Sequence, residues 1–341
     1  MQVSFLATSL LLSASFVSGA ANFYPEYEGI YANGLDVLPI PYNLTETQRK
    51  SDTFAAGSFW TSSFVRGSNN HDYLIVSHVM SGVPFWSAGT SMYRDGVLNA
   101  TFDDYGFVSV GDDALRTWST VAGAEFDLSI ELSSPALLNG GIGAFEIDST
   151  LYQWSLPAGK TTGCILVDGS NVTVNARKSL TWYDRQFNGG PPDWTWFQLH
   201  LDTRKAGAAV VAVSVWVWND SDTGFKGIAS IREEPGIQKV VPVKSLEPSE
   251  RTYTSQASGA VYSLDWVLTL VDGSKLQISS VRDDQELHAE GGVFPAYTGY
   301  ITAEGNFGTA VLWKWFHLTL QTELTSSYFA VRTTKGELIL S

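Results

Sequence analysis

The feature that most constrains this chain is a period of two. Apolar and polar residues alternate along stretch after stretch, whereas the spacing of an amphipathic helix is nearly absent. Strands are expected at 72–80 (DYLIVSHVM), 126–132 (FDLSIEL), 171–175, 208–218 (AAVVAVSVWVW), 261–271, 276–281 and 309–321. Asp-Gly pairs follow Arg94, Val167 and Val271, and such pairs between β-rich segments close tight hairpins. With 31 glycines punctuating many short strands, the expectation is an all-β chain of barrels or sandwiches. Within 208–218, Ser214, Trp216 and Trp218 share one face, and Val211, Val213, Val215 and Val217 share the other. That pattern sets a wide aromatic wall against a compact aliphatic one.

At 341 residues the chain is long for a single domain, so one large or two medium β domains are expected. The polar, glycine-containing segment 219–226 (NDSDTGFK) suggests a boundary, giving domains over 21–222 and 223–341. Basic residues number 21 against 35 acidic ones, a net charge of −14. Nucleic acid and anionic membrane surfaces both need clustered Lys and Arg, so neither is an expected partner. Residues 1–20 are uncharged, apolar at their centre and end in Ser18-Gly19-Ala20, as a secretory signal peptide does. No later segment is long enough to span a bilayer as a helix. Sequons at Asn43, Asn99, Asn171 and Asn219 fit a glycosylated, secreted protein. Cys164 is the only cysteine, so stability must come from the core rather than from an intrachain disulfide.

The most unusual stretch is 180–201, LTWYDRQFNGGPPDWTWFQLHL. It reads as a long hairpin about a Gly189-Gly190-Pro191-Pro192 turn. On its first strand Trp182, Asp184 and Gln186 share a face opposite Tyr183 and Arg185; on its second Trp194, Trp196, Gln198 and His200 share a face. An aromatic-Tyr-Asp-Arg-Gln strand, a glycine-rich turn and a Trp-x-Trp-Phe strand resemble the lipocalin-related superfamily of carotenoid-hydratase-like proteins. The resemblance extends to GSFWTSSF at 57–64, YLIVSHV at 73–79 and YTGYITAEGNFGT at 297–309. It implies two lipocalin-like β-barrels or half-barrels with a ligand cavity in or between them. The fungal secreted branch of that superfamily comprises hydratases of prenylated phenolics and hetero-Diels–Alderases of tropolone-sesquiterpene pathways. Related members carry Asp-His where this chain has Asp184-Arg185, so a histidine-based proton transfer is not expected at that position.

The sequence holds no nucleophile elbow, phosphate loop or dinucleotide fingerprint. Histidines 71, 78, 200, 288 and 317 lack metal-ligand spacing, so neither metal nor cofactor is expected. His78 shares a face with Leu74, Val76 and Met80, which makes it either a core histidine or an acid–base group in an apolar chamber. His200 shares a face with Asp202, and His317 follows Trp313-Lys-Trp-Phe; the expectation is structural pairing for the first and cross-strand packing for the second, with a functional role the alternative for each. The resemblance implies hydrophobic small-molecule substrates, a polyketide or tropolone and a terpenoid such as a humulene. On that reading Asp184, with His78 second, moves the proton, and Tyr183, Arg185 and Gln186 polarise the substrate. Trp60, Trp194, Trp196, Gln198, Trp216 and Trp218 would shape the binding site. The expected activity is a cofactor-independent hetero-Diels–Alderase; a hydratase and a non-catalytic lipocalin-like carrier are the alternatives. A carbohydrate-active sandwich would need two paired carboxylates, and no pattern pairs any two.

Overall fold

The computed structural model describes residues 22–23, 47–50, 57–81, 92–147, 149–187, 194–201, 211–220, 222–233, 237–287, 296–307, 310–312, 316–322 and 338–340. The signal-like segment 1–20, Asn43, Asp202 and His288 lie outside them. Among the described residues nearly everything is strand, and the helical element is a 3₁₀ turn at Asn139–Gly141. No helix among them is long and apolar enough to cross a membrane.

Eight main strands build the first sheet: β1 (Gly57–Arg66), β2 (Asp72–Ser81), β3 (Val97–Thr101), β4 (Tyr105–Ser109), β5 (Ala114–Ser119), β6 (Phe126–Glu131), β7 (Ser149–Val167) and β8 (Leu180–Phe187). Each pairs antiparallel with its neighbour in sequence from β3 to β8, and β8 then pairs with β1 and β1 with β2. The ring stays open between β2 and β3. Two other segments line this seam. Leu338–Leu340 pairs with the free edge of β2, and Thr47–Lys50 lies along β3 through Leu98 N–H to Gln48 O, 2.9 Å, and Lys50 N–H to Gly96 O, 2.7 Å. Across the lumen, Thr117 Oγ1 on β5 donates to Ser77 Oγ on β2 at 2.8 Å.

The second sheet has the same order and closes. Its strands are β9 (Trp194–Leu201), β10 (Val211–Asp220), β11 (Gly224–Glu233), β12 (Ile237–Pro248), β13 (Asp265–Leu270), β14 (Lys275–Ser280), β15 (Ala296–Phe307) and β16 (Phe316–Thr322). Each pairs with the next, and β16 returns to β9, so eight strands form an up-and-down barrel. The fold is therefore two lipocalin-like units, a half-barrel and a closed barrel, as the resemblance implied.

Asp-Gly turns behave as the sequence suggests at two hairpins. Asp95-Gly96 (φ 53° and 77°) and Asp168-Gly169 (φ 49° and 74°) both take the left-handed backbone of a type I′ turn. Two other expectations are corrected. Segment 180–201 is not a hairpin, because β8 belongs to the first sheet and β9 to the second, so its halves meet face to face across the sheets. The change of sheet comes between β8 and β9, ahead of the boundary expected near 219–226, where β10 and β11 instead pair as neighbours.

Strand alternation sorts the described side chains into three large cores, beside a small cluster of Tyr262, Leu264 and Tyr297. Phe59, Val65, Ile75, Tyr183 and Phe187 fill the half-barrel with residues from β3 to β7. Phe197, Leu199, Val213, Val215, Leu268 and Ile278 belong to the core inside the closed barrel. The residues between these in sequence, among them Trp60, Phe64, Trp182, Trp194, Trp196, Trp216 and Trp218, form a layer between the barrels. Period two thus gives β9 and β10 a mainly aliphatic inner face and an aromatic outer one, while β1 and β8 carry aromatic residues on both faces. Hydrogen bonds lock the barrels together at one end of this layer. Gln238 clamps the main chain of Leu138 (2.8 and 2.9 Å), Gly140 N–H donates to Ser230 Oγ at 3.0 Å, and Arg232 Nη1 donates to Ala136 O at 2.6 Å.

Candidate active site

Asp184 sits at the centre of the inter-barrel layer and is only 2% exposed. Its β8 position pairs with Ser155 on β7 and with Trp60 on β1, and Trp60 pairs with His78 on β2. One row across four strands therefore reads Ser155, Asp184, Trp60, His78. Strands stand about 4.8 Å apart, so Asp184 and His78 lie roughly 10 Å apart on the same face. They cannot exchange a proton directly, but they can address two ends of one guest.

Ser155 Oγ donates to Asp184 Oδ1, and Gln198 Nε2, reaching across from β9, donates to Oδ2 at 2.9 Å. Burial pushes this carboxyl up to about 7, against the pull of Ser155, Trp182, Gln198 and Gln153, which favour the anion. An ordinary aspartate is wholly ionised at neutrality; this one is divided between acid and base. His78 Nε2 shares a 2.8 Å hydrogen bond with Ser58 Oγ, and its ring lies 4.9 Å from that of Trp60. Burial lowers its pKa to about 4, so the imidazole is neutral.

The closed barrel contributes the opposite wall. Trp196 and Trp216, partners in register, stack with centroids 5.7 Å apart, and Trp194 lies 4.9 Å from Trp216. Trp196 Nε1 donates to Ser214 Oγ at 3.0 Å, and its ring meets Trp60 edge-on at 6.5 Å. Phe145 packs 5.5 Å from Trp216 and 6.1 Å from Trp218. His200 Nε2–H donates to Pro157 O at 2.6 Å, and its ring packs edge-on against Trp182. Burial keeps it neutral, with a pKa lowered to about 4.

The residues proposed from sequence thus fall into two groups. Asp184, His78, Trp60, Trp194, Trp196, Gln198, Trp216 and Trp218 converge on the inter-barrel layer, and Gln186 lies on the same face of β8, paired with Ser58. Tyr183 and Arg185 point the other way, into the half-barrel. The Tyr183 hydroxyl donates to Thr47 O at 3.3 Å. Arg185 is wholly buried between Phe59 and Phe187, 3.7 and 3.9 Å from the ring centres, and donates to the carbonyls of Ser58, Gln186 and Arg49. Both serve the strap at the seam, and the β8 backbone separates them from Asp184. Sequence reasoning missed Ser155, Gln153 and Asn139, although Leu151, Gln153 and Ser155 share a strand face on which two polar residues interrupt an apolar run. Among the described residues no three His, Cys, Asp or Glu side chains are grouped to hold a metal ion.

Two barrels of one strand order, with their polar groups gathered between them, define a two-barrel lipocalin-like protein with an inter-barrel site. The chain belongs to the AttH-like family, whose model matches residues 41–311. It is 30% identical over 316 residues to kievitone hydratase of Fusarium solani subsp. phaseoli, covering 83% of this chain and 86% of that one. It is 28% identical over 326 residues to dehydratase asqC of Emericella nidulans, covering 84% and 89%. The crystal structure of kievitone hydratase from Nectria haematococca superposes with a TM-score of 0.71 at 26% identity, over 84% of this chain and 94% of that one. These relatives set the chain among hydratase- and dehydratase-type proteins.

Proposed function

We propose that this protein is a lyase that removes water from a hydroxylated tropolone or related polyketide. The resulting o-quinone methide is then directed into cycloaddition with a terpenoid alkene such as a humulene. The observation that carries the reading is a buried carboxyl, held by Ser155 and Gln198 against a wall of indoles, with a pKa of about 7. Protonated Asp184 gives its proton to the leaving hydroxyl as the carbon–oxygen bond breaks, and water departs. The ring hydroxyl loses its proton as its electron pair moves into the ring, and neutral His78, two strands away, accepts it before solvent exchange. Positioned acid–base groups contribute about 10²–10⁴-fold each. Trp60, Trp196 and Trp216 supply flat apolar faces that hold diene and alkene together; such alignment is worth up to roughly 7–11 kcal/mol in the best intramolecular cases. Export through the secretory pathway belongs to the same proposal, with glycan at exposed Asn171 and Asn219 favoured over half-buried Asn99.

Hydration is the second reading, favoured by the similarity to kievitone hydratase. Turnover of a hydroxymethyl-tropolone with humulene in ¹⁸O-water separates the two. Dehydration and cycloaddition leave no solvent oxygen at the new bond, whereas hydration installs it. Asp184→Asn should lower turnover about 10²–10⁴-fold with the fold intact; a non-catalytic carrier would bind the guest and be indifferent to that change.

A further inference from the structure

Around Asp184 the hydrogen bonds do not balance. Gln153, 1% exposed, turns its amide toward the Asp184 carboxyl, and its Oε1 has no donor among the described residues. Asn139, wholly buried, donates through Nδ2 to Ser155 Oγ at 3.4 Å, and its Oδ1 likewise has no donor. Turned either way, each amide keeps one polar atom unmatched. Both residues stand within one hydrogen-bonded shell of the same carboxyl. A buried polar group left unsatisfied is destabilising, and two of them beside one acid call for a shared partner.

Asn139 is also held more firmly than packing alone requires. Gln238 bonds both main-chain groups of the preceding Leu138, and Ser230 accepts from the N–H of the following Gly140. Gly140 and Gly141 have φ of 69° and 88°, and a Cβ on Gly140 would meet that of Phe145 at 3.2 Å. The turn therefore needs glycine at these positions, and the closed barrel aims Asn139 at the β7 face. A donor-rich partner small enough to be shared by two carbonyl oxygens and a carboxyl is a water molecule.

We infer that Gln153 and Asn139 form the seat of the reacting water, accepting hydrogen bonds from it while its oxygen accepts from the protonated Asp184 carboxyl. The inference rests on the lyase reading and deepens it. In elimination the hydroxyl leaves carbon with the bonding pair, takes the Asp184 proton and comes to rest here as water. In the reverse direction the water turns one O–H from its amide to the ionised Asp184 carboxyl and passes that proton across as its oxygen bonds carbon. Both residues are positioning residues: they orient the water rather than exchange protons.

The test uses 2-hydroxybenzyl alcohol as probe and follows exchange of its benzylic oxygen with ¹⁸O-water, catalysed by the full chain. Gln153→Met and Asn139→Leu, each folded by circular dichroism and melting temperature, should slow exchange about 10–100-fold with KM unchanged. Asn139→Asp, which keeps an acceptor oxygen, should retain more exchange than Asn139→Leu. Exchange at the unaltered rate in Gln153→Met and Asn139→Leu, with Asp184→Asn inactive, would overturn the water seat and leave the lyase reading standing. If the unaltered protein exchanges no oxygen, the lyase reading fails. A high-resolution crystal structure then judges the seat alone, and density lacking a water in reach of both oxygens removes it.

Discussion

The closed barrel and the half-barrel share one strand order and spend their interiors differently. β9 to β16 close on themselves around Val, Leu and Ile side chains such as Val213, Leu268 and Ile278. β1 to β8 leave a seam, and their lumen buries Arg185, Tyr183 and the Ser77–Thr117 pair among its aromatics. A lumen filled with branched aliphatics is a scaffold. An open one needs polar ties to secure its edge, and here Arg185 and Tyr183 fasten the Thr47–Lys50 strap. The lesson is that neither lumen holds Asp184; the carboxyl that burial pushes up to about 7 lies where the outer faces meet.

That contrast can be broken from either side. Arg185→Leu should have the largest effect on stability, roughly 4 kcal/mol, because the wholly buried guanidinium leaves both aromatic rings and three partly buried carbonyls lose their donor at once. Amides of Thr47–Lys50 should then exchange with solvent fastest, and unchanged protection there would contradict the strap assignment. Leu268→Ala, deep in the closed barrel, should cost about 3 kcal/mol through the cavity it leaves. Denaturant unfolding measures this, and kcat/KM should stay unchanged at temperatures where the variant is folded. Trp60→Phe should cost least, roughly 1 kcal/mol, and should surface as a five- to tenfold rise in KM, whereas Phe197→Leu inside the closed barrel should leave KM alone.

Much of this was legible in the residues. The alternation of Val211 to Trp218 announces its two walls, and Asp95-Gly96 and Asp168-Gly169 announce their turns. Placing Asp184 and Arg185 on opposite faces needs only the strand period. What period two cannot supply is the neighbour. The connector 188–193 can close a hairpin or carry the chain to another sheet, and only the packing of the aromatic faces selects the second. Asn139 and Gln153 escaped for a related reason: each is an isolated amide whose meaning comes from Asp184, 45 and 31 positions away in sequence.

The claim on which all of this depends is that Asp184 works as an acid because burial between the barrels holds its proton near neutrality. The pH dependence of kcat/KM tests it directly, since that profile reports the free enzyme's essential groups. A plateau is expected that ends near pH 7, with a fall of about tenfold per unit above it and a second fall below pH 4 as His78 becomes charged. A rate that rises through pH 4 and stays level to pH 8, the profile of an ordinary exposed carboxylate, would contradict it.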